Sequence, residues 1–187
     1  PPQRKIPTAL VRCDPNKDEN ACGLLQLSHS VPPEMLYSDY WYRSGTNHTM
    51  RNHLKEIADE VRQMFVTDNA HKILDIGSND GTLLGCFPDS WIRVGVEPSN
   101  ASMFAQFNEK INIVKDTFPS LKLETKYPEM HFDVITSIAM FYDLDDPVTF
   151  AQSVQRMLSA TGIWVVEMSY MPMMLEKNSF DTICHEH

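Results

Sequence analysis

An apolar run that ends in an acid and a glycine-bearing turn is the clearest candidate for ligand chemistry in this chain of 187 residues. Residues 73–76 read Ile-Leu-Asp-Ile, and residues 77–81 read Gly-Ser-Asn-Asp-Gly. Glycines let a loop adopt positive φ and approach a ligand closely. The loop lacks the Lys-Ser/Thr pair of a triphosphate-binding loop, and its acids favour a cationic ligand over a pyrophosphate. We predict that its ligand contacts are Asp75, Gly77, Ser78, Asn79, Asp80 and Gly81.

Two further acids follow apolar runs downstream of this loop. Glu97 lies about 20 residues beyond it, where an acid in nucleotide-binding sheets accepts the two hydroxyls of a ribose. A surface acid at a strand end is the alternative interpretation. Asp116 is followed by Thr117 and Phe118, so an acceptor for an exocyclic amine is next to a ring that could stack on a base. A turn acid beside a core phenylalanine remains an equal alternative.

Strands and helices alternate along most of the chain, and they must position these residues. The apolar pattern predicts strands at 72–76, 92–97, 112–115, 132–137 and 162–168, with helices at 81–87, 100–108 and 148–158. Short apolar strands that alternate with helices indicate a parallel sheet covered on both faces. Ligands of such doubly wound α/β sheets bind at the carboxyl ends of the strands. The predicted site residues all follow strands, as this architecture requires.

The amino-terminal third has a different pattern. Residues 1–35 are rich in proline and charge, and we expect an irregular or β-ribbon arm there. From Glu34 to Phe65 apolar residues recur at spacings of three and four, which predicts an amphipathic helix capped by Thr46 or Asn47. The predicted organisation is an arm at 1–35, a helical lid or linker at 36–70 that covers the ligand, and the α/β domain at 71–187.

Together, the glycine loop, Glu97 and Asp116 resemble the class I S-adenosylmethionine-dependent methyltransferases over residues 72–168. The resemblance implies a Rossmann-like doubly wound sheet and S-adenosylmethionine as cofactor. It implies that the loop wraps the methionine part, that Glu97 holds the ribose and that Asp116 lies near adenine. Pro98, Thr117 and Ala139 are placed in the same cofactor site.

The flanking segments resemble a narrower group, the C-methyltransferases that act on carbon 3 of nucleotide-linked 4-keto-deoxysugars. The similar segments are Cys22–Leu27, Tyr40–Gly45, Met50–His53 and Ser179–His187. Enzymes of that group carry a zinc-binding domain before the methyltransferase domain and a further domain after it. The chain begins at Pro1 without methionine and ends at His187 within a polar cluster, so we expect a fragment of a longer protein.

This resemblance implies roles for individual residues. Methylation next to a ketone requires a base and a donor to the developing oxyanion. His187 is the predicted base and Glu186 orients it or binds the sugar, while Tyr40 or Tyr42 bonds to the ketone oxygen. Cys13 and Cys22 are the predicted zinc ligands. Two positions depart from the group, since Cys184 replaces a common tyrosine and Asp143 replaces a histidine of one branch.

Other interpretations stay open at this point. A terminal His-Glu-His is often a solvated tail, and aromatic residues near a helix start often belong to the core. The chain could be a small-molecule O- or N-methyltransferase, or a non-catalytic domain that binds S-adenosylmethionine. The remaining histidines receive no catalytic role; His53 lies on the amphipathic helix and could face the cofactor, but we favour a surface position. The others are His29, His48, His71 and His131.

Composition restricts the partners of the chain. The net charge of −9 argues against a nucleic-acid partner, because phosphate binding needs a basic face. No apolar run approaches the roughly 20 residues of a membrane span. Residues 1–12 lack the apolar core of a secretory signal. We therefore expect a soluble cytoplasmic protein with a small-molecule substrate; the sequence predicts no oligomeric state.

Overall fold

The computed structural model describes residues 7, 9–29, 32, 40–65, 70–105 and 109–179. Its elements, in chain order, are β1 (Leu10–Arg12), β2 (Leu25–Leu27), α1 (His48–Met64), β3 (Lys72–Ile76), β4 (Ile92–Val96), α2 (Ser102–Ala105), β5 (Ile111–Val114), α3 (Leu121–Lys126), β6 (Phe132–Ile138), α4 (Pro147–Met157), β7 (Leu158–Glu167) and α5 (Met171–Glu176). Short 3₁₀ turns occupy Ser44–Thr46, Leu84–Cys86 and Phe141–Asp143. None of the helices in the described part of the chain has the length and hydropathy needed to cross a membrane.

The chain forms two compact units. The first contains the described residues of 1–36 and 171–187, and the second contains those of 37–170. In the first unit β1 and β2 pair antiparallel, with Leu10 opposite Leu27. This ribbon confirms the predicted β-ribbon arm for the part of residues 1–35 that the structure describes.

A five-stranded sheet forms the centre of the second unit. Its strand order is β5-β4-β3-β6-β7, and every neighbouring pair is parallel. The predicted doubly wound α/β fold is confirmed. The order reverses between β3 and β6, so the carboxyl ends of these two strands flank the crevice where such sheets bind ligands.

Helix α1 covers one face of the sheet. Asn47 caps it, because its Oδ1 accepts from the Thr49 backbone N–H at 2.9 Å. Leu54, Ala58 and Val61 are buried and belong to the same core cluster as Ile73 of β3. The predicted cap at Asn47 is confirmed, whereas the helical pattern expected from Glu34 onward is not realised in residues 40–47, which contain only a 3₁₀ turn. Hydrogen bonds to the glycine loop, described below, hold this segment in a non-helical path.

The opposite face is covered by α3 and α4. Leu74, which alternates with Ile73 along β3, packs in a second cluster with Phe150 and Val154 of α4. The Phe118 ring meets the Phe150 ring edge-on, with 4.9 Å between centroids. Phe118 is therefore partly buried against the core cluster, which agrees with the alternative interpretation of a core phenylalanine.

Several predicted bounds were wrong. The helix expected at 81–87 is a turn followed by the 3₁₀ segment Leu84–Cys86, because Gly81 has φ +75° and Asp80 accepts from Thr82. Strand β7 begins at Leu158, four residues before the predicted start. Helix α3 was missed because Leu123 is its single buried residue, which leaves no apolar period to recognise.

Candidate active site

The glycine loop lies at the carboxyl edge of the sheet, where the fold predicts a ligand. The backbone N–H groups of Gly77 and Ser78 donate to the Val96 carbonyl at 2.9 and 3.2 Å. Gly77, Asn79 and Gly81 all have positive φ, at 75°, 50° and 75°. The loop therefore turns tightly over the end of β4. Ser78 is buried, and its Oγ has no hydrogen-bond partner among the described residues.

Close packing beneath the loop depends on Gly95 of β4. A Cβ at this position would lie 2.4 Å from Ser78 Oγ and 2.6 Å from Ile113 Cδ1. No side chain fits in that space without moving the loop or the neighbouring strand. Gly95 was not among the predicted site residues, although a glycine inside a strand is a sequence signal that another part of the backbone approaches closely.

Asp75 is a buried acid below this loop. Asp75 is 3% exposed, and Thr136 Oγ1 donates a hydrogen bond to Asp75 Oδ1 at 2.6 Å. Burial raises the pKa of Asp75 to about 7, a rise that the nearby Glu97 carboxylate reinforces and that the Thr136 hydrogen bond opposes. A buried carboxyl without a cationic neighbour prefers to stay protonated, and a bound cation would favour its ionised form.

Glu97 follows β4, as predicted, and is buried against the loop. Its Oε2 accepts from the Asn79 backbone N–H and its Oε1 from the Ser99 backbone N–H, both at 2.8 Å. These bonds fix the carboxylate in position. Each oxygen keeps a further lone pair, so the group can still accept two adjacent hydroxyl donors. Pro98, which follows it, is exposed.

Two loop side chains tether the amino-terminal segment. Asn79 Oδ1 accepts from the Ser44 N–H at 3.0 Å, and Asn79 Nδ2 donates to the Tyr42 carbonyl at 3.1 Å. Asp80 Oδ2 accepts from the Gly45 N–H at 2.9 Å. The side chains predicted to contact the ligand therefore bind residues 42–45 in this structure. A Cβ at Gly45 would lie 2.7 Å from Thr82 Oγ1, which explains the glycine.

The tether brings the predicted substrate aromatics beside the loop. The rings of Tyr40 and Tyr42 are 6.2 Å apart, centroid to centroid, and both residues are half-buried. Trp41 between them is 83% exposed. The Arg43 guanidinium lies 4.0 Å above the Phe104 ring, which follows Glu97 on α2. Residues distant in sequence thus converge on one edge of the sheet.

The remaining predicted cofactor residues also lie at strand ends. Asp116 follows β5; its Oδ2 accepts from Ser120 Oγ at 2.8 Å, and Lys122 Nζ lies 3.8 Å from Oδ1. Thr117 beside it is exposed. Ala139 follows β6 with φ 53°, a left-handed conformation that costs energy for any residue with a Cβ. Strain of this kind clusters at ligand-binding sites, so it is consistent with the predicted role of Ala139.

One polar pair at the same edge was not predicted. His53 Nε2 of α1 lies 2.6 Å from Glu167 Oε2, at the end of β7. His53 was expected on the surface; its side chain is 42% exposed and holds this partner. A histidine on the core-facing side of α1 was the available signal, but its partner lies 114 residues away and no local spacing indicates it.

Of the predicted zinc ligands and the predicted base, only the zinc ligands Cys13 and Cys22 lie within the described residues. Hydrogen bonds from the Leu24 backbone and the Cys13 side chain lower the pKa of Cys22. Zinc sites usually need four ligands, and no group of three or more ligating side chains converges within the described ranges. These residues alone do not hold zinc. Cys184, Glu186 and His187 lie outside the described residues.

The described residues fit S-adenosylmethionine. Asp75 is a buried acid that a cationic ligand would stabilise, Glu97 offers two acceptor oxygens, and Ser78 Oγ is an orphaned polar atom beneath the loop. All three lie within or beside the glycine loop. This donor and acceptor set matches a ribose and a positively charged group better than a pyrophosphate.

Comparison with known proteins supports this fit. The profile of the methyltransferase-domain family matches residues 47–187. The C-methyltransferase NovU of Streptomyces niveus is 24% identical over 170 residues, which cover 89% of this chain and 40% of that protein. The chain therefore spans two-fifths of the length of this relative.

Solved structures share the fold. The plantazolicin methyltransferase BpumL, in complex with a pentazolic desmethylPZN analogue and SAH, superposes with a TM-score of 0.56 at 17% identity, over 71% of this chain and 52% of that one. The [4+2]-cyclase SpnF superposes with a TM-score of 0.51 at 20% identity, over 70% of this chain and 50% of that one. The chain belongs to the methyltransferase-domain family, with the fold of the class I S-adenosylmethionine-dependent methyltransferases.

Proposed function

We propose that the protein transfers a methyl group from S-adenosylmethionine to a carbon of a nucleotide-linked keto-deoxysugar. The observation that carries this proposal is the tether between Asn79, Asp80 and residues 42–45, which places two tyrosines beside the cofactor loop. The similarity to a C-methyltransferase supports it, because that similarity covers 89% of the chain and extends beyond the family match at 47–187.

The chemistry assigns work to the chain's own residues. When bound, the sulfonium cofactor supplies a methyl group that is already reactive. The residues must remove a proton from the carbon next to the carbonyl, stabilise the resulting oxyanion and exclude water. Tyr40 or Tyr42 is the proposed hydrogen-bond donor to the oxyanion. His187, with Glu186, is the proposed base, and both lie outside the described residues.

The lid completes the proposed site. Arg51 Nη1 donates to the Gly45 carbonyl at 2.7 Å, so the start of α1 is joined to the tethered segment. Helix α1, residues 42–45 and the glycine loop are therefore connected by hydrogen bonds. In our proposal this connected layer aligns the acceptor carbon with the methyl group and shields both from water. Zinc belongs to the proposal for the whole protein, with Cys13 and Cys22 as two of its ligands.

The position of a labelled methyl group tests the reaction. The full-length protein is incubated with methyl-¹³C S-adenosylmethionine and a panel of 4-keto nucleotide sugars. The product should show the label bonded to carbon 3 by one-bond ¹³C–¹³C coupling in a uniformly labelled sugar. Wild-type protein without the sugar is the control for self-methylation.

Two results would contradict the proposal. A label on oxygen or nitrogen would make the protein an O- or N-methyltransferase. Binding of the cofactor without transfer to any keto sugar would favour a non-catalytic domain or an unrelated acceptor. Replacing His187 by Gln distinguishes these further, because an O-methyltransferase needs no enolate-forming base and should keep much of its rate.

A further inference from the structure

A histidine–carboxylate pair at the carboxyl edge of the sheet has no role in the reaction as described so far. His53 of α1 and Glu167 of β7 are 2.6 Å apart through Nε2 and Oε2. Their side chains are 42% and 39% exposed, so a ligand can reach both. The pair joins the lid helix to the last residue of the edge strand.

The pair lies close to the cofactor loop. Glu167 is in register with Ile138 of β6, and its carbonyl accepts from the Ala139 N–H at 2.9 Å. The next residue, Met140, lies beside the loop, since a Cβ at Gly77 would be 3.3 Å from Met140 Cγ. Ala139 and Met140 thus bridge the dyad and the first glycine of the loop.

The pair is on the acceptor side of the crevice. Most of the predicted cofactor residues follow β3, β4 and β5, which form one half of the sheet, and Ala139 follows β6 at the boundary with the other half. Glu167 ends β7, in the other half, beyond the point where the strand order reverses. A substrate that meets the cofactor in the crevice must lie towards this second half.

Hydrogen-bonding rules define the state of the ring. An ionised carboxylate can only accept, so His53 Nε2 must carry the hydrogen that faces Glu167. Nδ1 is then the second functional atom of the ring, and the described residues provide no hydrogen-bond partner for it. When the ring is protonated, Nδ1–H is a donor and Glu167 balances the charge. This is the arrangement of an acid–base histidine oriented by a carboxylate.

We propose that His53 is a catalytic residue that carries a proton at the carbonyl oxygen of the acceptor, and that Glu167 is its positioning residue. This proposal rests on the proposed function. As the base removes the proton from carbon, the C–H electron pair forms the C=C bond and the carbonyl π pair moves to oxygen. His53 Nδ1–H donates its proton to that oxygen. When carbon takes up the methyl group, the C=O bond reforms and the proton returns to Nδ1.

A purely mechanical role is the competing explanation. An exposed ion pair between a helix and a strand end can tether two elements without chemistry. His53→Gln separates the two roles, because a glutamine amide can still donate to Glu167 but cannot carry a proton. Two variants on the same helix serve as controls: His48→Gln changes an exposed histidine, and Asp59→Asn breaks an exposed pair with Lys55.

The test measures enolisation and methyl transfer separately in the full-length protein. Deuterium exchange at carbon 3 of the keto sugar, without S-adenosylmethionine, reports the proton steps alone. His53→Gln should lower both this exchange and kcat by about a hundredfold, with KM, cofactor Kd and melting temperature unchanged. Glu167→Gln should lower kcat by about tenfold. Imidazole added to His53→Ala should restore part of the lost rate.

Each other outcome has a defined meaning. If deuterium exchange and kcat of His53→Gln stay within threefold of wild type, the catalytic role of His53 is overturned and the proposed function still stands. A parallel loss of cofactor affinity and melting temperature also overturns this catalytic role, in favour of a tether. If wild type methylates oxygen or nitrogen acceptors instead, the proposed function fails. A hundredfold loss of kcat in His53→Gln on those acceptors would then assign His53 to proton transfer in a different reaction and overturn its role at a carbonyl oxygen. A wild type inactive on every acceptor overturns both.

Discussion

Asp75→Asn is expected to make the ligand-free protein more stable at pH 8 by about 4 kcal/mol, and to leave its stability at pH 4 nearly unchanged. Burial raises the pKa of the Asp75 carboxyl from 3.8 to about 7 in the folded chain. Asparagine keeps the size and the acceptor oxygen for Thr136, but it cannot ionise. Urea unfolding of both proteins from pH 4 to pH 8 measures the difference.

The sign follows from proton counting. Between pH 4 and pH 7 the folded chain keeps a proton on Asp75 that the unfolded chain has released. The contribution of the Asp75 carboxyl to the free energy of unfolding is therefore fully present below its pKa in the unfolded chain, 3.8. It is lost as the pH rises through the pKa in the folded chain, about 7. A shift of about three pKa units corresponds to about 4 kcal/mol. The variant has no such group, so the gap between the two proteins should widen with pH.

Thr136→Val gives a second variant at the same site. In wild type the hydrogen bond from Thr136 Oγ1 to Asp75 Oδ1 favours the ionised carboxylate and lowers its pKa. Valine removes this bond, so the pKa of Asp75 should rise further. The loss of stability should then extend to higher pH than in wild type. A gap between wild type and Asp75→Asn that stays constant from pH 4 to pH 8 would show that Asp75 is not held protonated by burial.

Glu97→Gln is expected to weaken S-adenosylmethionine binding by several hundredfold, or about 3–4 kcal/mol. The Glu97 carboxylate is fixed by the Asn79 and Ser99 backbone N–H groups, so its free lone pairs are available for two ribose hydroxyls. In the variant an amide NH₂ group replaces one carboxylate oxygen, so it faces a backbone N–H or a ribose hydroxyl donor without being able to accept from it. Isothermal titration of both proteins with S-adenosylmethionine measures the change in Kd.

Stability must be followed alongside affinity, because Glu97 is buried beneath the loop. The melting temperature without ligand shows whether the variant keeps its fold. Glu124→Gln, which neutralises an exposed acid on α3, is the matched control and should bind like wild type. If Glu97→Gln keeps both its fold and a Kd within threefold of wild type, the ribose assignment is incorrect.

The sheet was predictable because its strands are short and almost entirely apolar. Residues such as Ile73, Leu74 and Val94 are fully buried, and burial on both faces leaves a run that sequence reading recognises easily. The strand ends then located Glu97 and Asp116 correctly at the carboxyl edge. Periodicity and the positions of acids carried this part of the prediction.

Segments fixed by tertiary contacts were harder to predict. Residues 40–47 precede the predicted helix cap, and backbone hydrogen bonds from Ser44 and Gly45 to loop side chains fix their path. Helix α3 depends on the Ser120 cap and on one buried leucine, so it carries little apolar signal. In both cases the deciding contacts join residues that no sequence window contains.

The same limit applies to the candidate site. Asn79 and Asp80 were predicted as ligand contacts, and their tethering role appears only once residues 42–45 are placed beside them. The His53–Glu167 pair spans 114 residues and combines a helix position that was expected on the surface with a strand end. Sequence reading located the edge of the sheet where this fold is expected to bind ligands, and the structure supplied the polar network across it.

A calorimetric titration of the wild-type protein with S-adenosylmethionine tests the central claim, that the glycine loop, Asp75 and Glu97 bind this cationic cofactor. We expect one site with a Kd of about 100 µM or tighter. At pH 6.5, buffers of different ionisation enthalpy should show proton release, because a bound cation favours ionised Asp75, and Asp75→Asn should show less. No heat of binding up to about 1 mM S-adenosylmethionine would contradict the account.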